Sequence, residues 1–180
     1  MMTVRSSLPL VVPDMMDPQL RWKPLSQSFP RPSPIWQSWL IDQGSLTKLL
    51  IAKSNQNFKV QVLEETWVNG RESAFTGRLH SSVARQSMWS RKVVLKGHNQ
   101  PWVMAHTLVP RCSLASPLKR IKTLQSKPLG GFLFSHPHMK RSRLDVCQMG
   151  ESCWGRRSLF VLYGQPILVA EYFLPQLLED

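Results

Sequence analysis

Residues 154–175 constrain the fold of this chain more than any other stretch. They hold two apolar runs joined at Gly164-Gln165-Pro166, the pattern of a β-hairpin. Alternation along the second run puts Ile167, Val169, Glu171 and Phe173 on one face, and Leu168, Ala170, Tyr172 and Leu174 on the other. Neither face is polar, so the run reads as a central strand covered on both sides. A carboxylate at such a position costs roughly several kcal/mol unless a partner compensates it. Glu171 is therefore half of a structural ion pair or part of a site.

An earlier stretch repeats the design. Trp89-x-Arg91, then Pro101, Ala105, His106 and Pro110, has the spacing of Trp154-x-Arg156, then Pro166, Ala170, Glu171 and Pro175. Two hairpins of one design predict a duplicated half-domain forming one antiparallel sheet. The match sets Arg91 against Arg156 and His106 against Glu171. Arg91, like Glu171, lies in an otherwise apolar strand. The two could hold a small molecule between a planar cation and a carboxylate. A direct Arg91–Glu171 or Arg156–Glu171 salt bridge is the structural alternative.

The rest of the chain divides by its punctuation. Residues 1–32 are rich in Pro and Ser without a period, and read as a loosely ordered arm before a domain at 33–180. Ser33-Pro34 starts a short helix with Trp36, Trp39 and Leu40 on its apolar face. Gly44 ends it, and Ser45 can cap a second helix holding Leu46, Leu49 and Leu50. Strands are expected over 58–65, 86–95, 102–109 and 144–147, with 70–82 a loop. Short helices are expected over 117–124 and after Pro128. His136-Pro137-His138 and the cluster Lys140, Arg141 and Arg143 form a loop. The amides of Leu46 and Leu129 fall in first helical turns, where free N–H groups and the helix dipole can receive a carboxylate.

Composition narrows the partners. With 42% hydrophobic residues over 180 positions, the chain can bury one core. No apolar run approaches the ~18 residues of a membrane helix. Three cysteines without metal-type spacing fit reduced thiols in the cytosol. A net charge of +12 raises nucleic acid as a partner, yet the basic residues are scattered and no zinc finger or RNP motif occurs. The same field would steer a small anion. His136 and His138 lack the neighbours a metal site needs, and Gly130-Gly131 lacks the surroundings of a phosphate loop.

Together, Arg91…Pro101-Trp102…Ala105…Val109-Pro110, Pro128-Leu129-Gly130…Leu133-Phe134, Trp154-Gly155-Arg156-Arg157-Ser158 and Ala170-Glu171…Phe173-Leu174-Pro175 resemble chorismate pyruvate-lyase. The resemblance covers about residues 34–175, with the motifs in the family's order. It implies an α+β domain: a six-stranded antiparallel sheet, internally duplicated, with flanking helices. It also implies cofactor-free cleavage of chorismate to 4-hydroxybenzoate and pyruvate, the opening step of ubiquinone biosynthesis, by a monomeric cytoplasmic enzyme with no nucleic-acid partner. Carried over by position, Arg91 and the amides of Leu46 and Leu129 would serve the ring carboxylate. Glu171 would face the ring oxygen beside the breaking ether bond. The family often has Met at the position of Leu46, a departure that an amide contact tolerates. The alternative is an effector-binding domain of the same fold without catalysis. Bacterial regulators of that kind carry a DNA-binding domain ahead of it, and the Pro-rich arm is not expected to form one.

Overall fold

A computed structural model describes residues 10–75, 78–115, 117–142 and 144–179. Arg143 of the basic cluster and the first nine residues of the arm lie outside this range. Among the described residues one antiparallel sheet carries eight strands: β1 (Lys23–Pro24), β2 (Phe58–Asn69), β3 (Ser87–Gly97), β4 (Gln100–Pro110), β5 (Lys140–Arg141), β6 (Asp145–Met149), β7 (Cys153–Leu162) and β8 (Gln165–Phe173). The spatial order is β1-β6-β7-β8-β4-β3-β2, with β5 also pairing to β7. Six strands were expected. The additional β1 and β5 are two residues long, too short for alternation to reveal them.

The sheet separates two cores, as the two-sided reading of the last strand requires. Ile167, Val169 and Phe173 pack on one face, beneath α1 (Pro34–Ile41), α2 (Leu46–Lys53) and α4 (Leu129–Phe134). Leu168, Ala170, Tyr172 and Leu174 pack on the other. There they meet Val12, Met15 and Met16, all buried, so residues 10–32 contribute to a core that their Pro-rich composition did not signal. The tetrapeptide helix α3 (Ser81–Ala84) and a 3-10 helix (Glu72–Phe75) occupy the expected loop, and Ala84 and Phe75 join this reverse core. Residues 118–123 form a 3-10 helix, whose Leu118 and Ile121 are buried on the helix-covered face.

The two hairpins agree in outline and differ in register. Both turn through two residues of positive φ, His98-Asn99 and Tyr163-Gly164, as tight two-residue hairpins require. The second turn thus falls one residue before the expected Gly164-Gln165-Pro166, and Gln165 already pairs with Leu162. From there β7 and β8 pair without interruption, setting Arg156 opposite Glu171. Between β3 and β4 the register slips: Lys96 pairs with Pro101 and Leu95 with Val103, so Trp102 is the extra residue of a bulge. One such residue reverses every side chain beyond it. Thr107, not His106, therefore lies opposite Arg91. His106 pairs with Lys92 and Ala170 and faces the reverse core, so its sequence match to Glu171 does not carry over to position.

Candidate active site

Glu171 is placed from three directions. It lies opposite Ala105 on β4 and opposite Arg156 on β7, under the helices. Arg156, 1% exposed, donates from Nε to Glu171 Oε2 at 2.5 Å. Its Nη1 donates to the carbonyls of Trp39 and Asp42, both at 2.8 Å. The guanidinium lies 5.3 Å from the Phe173 ring centroid. This single side chain ties the C-terminal end of α1 to the carboxylate. The Arg156–Glu171 alternative read from the sequence is present, and Glu171 also lines a cavity, so the two readings coexist.

Arg91 holds the other side of the site. A β2 bulge between Val62 and Glu64 places Glu65 opposite Arg91, and the two side chains form an ion pair. Nη2 of Arg91 donates to the carbonyls of Gln125 at 2.5 Å and Lys127 at 3.2 Å. Arg91 thereby fixes the segment that leads into Pro128 and the first turn of α4. Of the five N–H donors of a guanidinium, these bonds use three.

The two helix starts come together because of glycine. Ser45 Oγ accepts from the Lys48 amide, which caps α2 as expected. Pro128 precedes Leu129 in extended conformation, while Ser33 precedes Pro34 without a side-chain cap bond. A Cβ on Gly130 would lie 2.6 Å from Thr47 Oγ1, so only glycine permits this approach of α4 to α2. Amides in a first helical turn have no intrahelical acceptor. Leu46, Arg91, Leu129 and Glu171, the four residues singled out in the sequence, all line one cavity.

Arg141 lines the same cavity and was not foreseen. Its side chain is 7% exposed and lies 4.9 Å from the Phe160 ring centroid. Nε donates to Ser158 Oγ at 3.1 Å and Nη1 to the Asp42 carbonyl at 3.3 Å. Nη2 stands 3.7 Å from Glu171 Oε2. Burial lowers the Arg141 guanidinium to about 10; the Glu171 charge opposes that shift and Arg156 adds to it. In the sequence Arg141 belonged to a short basic run, which reads as solvated surface. Only the pairing of β5 with β7 turns it inward. Glu65 escaped for a similar reason, since its face depends on the bulge.

A sequence model of the chorismate lyase family matches residues 17–180. The chain belongs to the chorismate lyase family. The match begins inside the Pro-rich arm, earlier than the motifs alone extend. Among family relatives, a protein of Pseudomonas fluorescens (strain Pf0-1) named probable chorismate pyruvate-lyase 2 is 34% identical over 168 residues, 88% of this chain and 91% of that protein. The chorismate pyruvate-lyase of Sodalis glossinidius (strain morsitans) is 37% identical over 150 residues, 79% of this chain and 81% of its own length. A solved GntR-family transcriptional regulator from Bacillus cereus aligns with 69% of this chain and 96% of its own, at 14% identity and a TM-score of 0.44. Among the described residues no helix is long and apolar enough to cross a membrane.

Proposed function

We propose that this protein is a chorismate pyruvate-lyase, cleaving chorismate to 4-hydroxybenzoate and pyruvate as a soluble cytoplasmic monomer. The observation that carries the reading is the convergence of Arg91, Glu171 and the starts of α2 and α4 on one cavity. It is joined by family membership and by the names of the relatives. Arg91 offers its remaining donors to the ring carboxylate, supported by the Leu46 and Leu129 amides. Glu171 meets the ring oxygen at the opposite end.

The reaction asks little bond-making of the protein. The ether bond of the enolpyruvyl group breaks with its electron pair on the departing oxygen. A ring proton leaves, the ring becomes aromatic, and the departing enolate takes up one proton at its methylene carbon to give pyruvate. Orientation of a dianion and exclusion of water supply most of what is needed. Glu171, within reach of the ring oxygen, assists proton movement as a general acid–base. Residues from the two hairpins, Arg91 from the first and Glu171 from the second, face the cavity, in keeping with a duplicated sheet. The enclosed site also holds the aromatic product, so its release limits turnover. Incubation with chorismate, followed by chromatography, should yield 4-hydroxybenzoate and pyruvate in equal amounts. Failure of the folded protein to form either would refute the proposal.

A further inference from the structure

The cavity holds more cation than one aromatic carboxylate needs. Arg91, Arg141 and Arg156 all line it. Arg156 is committed to Glu171 and two carbonyls, through bonds of 2.5, 2.8 and 2.8 Å. Arg91 is committed to Glu65 and to the carbonyls of Gln125 and Lys127. Arg141 is held least, by bonds of 3.1 and 3.3 Å that use two of its five donors. Its Nη2 is turned toward Glu171 Oε2 but stops at 3.7 Å, outside hydrogen-bonding range.

From this geometry we infer that Arg141 receives the second carboxylate of the substrate, the one on the enolpyruvyl group. The inference rests on the chorismate reading above. In chorismate that carboxylate is attached through the ether oxygen, next to the ring oxygen that Glu171 faces. A cation beside Glu171 is where such a group arrives when the ring carboxylate is at Arg91. A guanidinium edge with free N–H groups matches it bidentately. The stack of Arg141 on Phe160 and its bond to Ser158 fix the plane of that edge. A second anion also compensates a charge that burial leaves poorly solvated. Arg141 then discriminates substrate from product: 4-hydroxybenzoate has lost the group it reads.

The test compares Arg141→Gln with the unaltered protein, using two stable ligands in calorimetry and chorismate in kinetics. The ligands are 4-hydroxybenzoate and 3-(carboxymethoxy)-4-hydroxybenzoate, which restores a second carboxylate next to the ring oxygen. Arg141→Gln should weaken the dicarboxylate and raise the KM for chorismate by roughly 10- to 100-fold, the worth of one charge-assisted hydrogen bond. Affinity for 4-hydroxybenzoate should change by less than about threefold, and Arg141→Lys should recover part of the loss. Equal weakening of both ligands would make Arg141 a support of Glu171 and overturn the inference, as would an unchanged dicarboxylate affinity. The binding comparison does not need turnover. An unaltered protein that binds the dicarboxylate but forms no product sinks the lyase reading and leaves the role of Arg141 standing.

Discussion

Arg156 and Glu171 face each other across the β7–β8 pairing, and their side chains meet at 2.5 Å. The same arginine grips the carbonyls of Trp39 and Asp42, so the carboxylate and the end of α1 share one cation. Replacing Arg156 by Gln should lower stability by about 3 kcal/mol, the lower end for breaking a buried pair, because Glu171 keeps some access to solvent. Denaturant unfolding checks this. A loss below about 1 kcal/mol would mean the pair is as weak as a surface one.

Arg91 acts on the ligand directly and through the 125–127 segment. Arg91→Ala should raise the KM for chorismate and the Kd for 4-hydroxybenzoate together, each by about 10-fold or more. Steady-state kinetics with product titrations provides the measurement. An unchanged KM would remove Arg91 from the carboxylate end.

Gly130 tests the approach of the two helices. Gly130→Ala places a methyl 2.6 Å from Thr47 Oγ1, so α4 must shift, at a cost of about 1–3 kcal/mol. Weaker 4-hydroxybenzoate binding should accompany it. Adding Thr47→Ala should restore much of both, because the Thr47 Cβ at 3.5 Å is an ordinary contact. Absence of rescue would place the damage elsewhere.

The hairpin carrying Glu171 was legible because apolar residues on both faces of a strand leave a carboxylate nothing to do but pair or react. The helix starts were legible from Ser45 and Pro128. What the residues could not convey was register. The bulge at Trp102 leaves linear spacing intact and reverses the face of His106. The bulge between Val62 and Glu64 brings Glu65 under Arg91 in the same silent way. Arg141 looked like solvated charge until a two-residue strand turned it inward. The arm looked loose because its anchoring side chains, Val12, Met15 and Met16, sit in a Pro-rich stretch too short and interrupted for a sustained period.

His106 gives the reverse face a pH dependence. Its Nδ1 accepts from the Met15 amide at 3.0 Å and its Nε2 meets Ser90 Oγ at 2.9 Å, so the neutral ring fastens the arm to the sheet. Burial lowers it from 6.5 to about 4; Asp14 opposes the shift and Lys92 adds to it. Between those values the unfolded chain binds a proton that the folded protein refuses. Stability is therefore full above about pH 6.5 and falls as pH drops toward 4, by up to about 3 kcal/mol. His106→Gln should flatten that slope in urea unfolding between pH 4 and 7. A slope unchanged by the substitution would assign the dependence to other groups.

Glu171→Gln bears most directly on the chemistry, because it keeps shape and hydrogen-bonding capacity while removing the proton-carrying charge. Arg156 retains its two carbonyl partners in this variant, so the fold should persist. Formation of 4-hydroxybenzoate from chorismate under saturating substrate should fall by about 10²- to 10⁴-fold, the contribution of one general acid–base group. Circular dichroism and the cooperativity of unfolding should stay native. Near-normal turnover in a folded Glu171→Gln protein would contradict the assignment and leave Glu171 as the structural partner of Arg156.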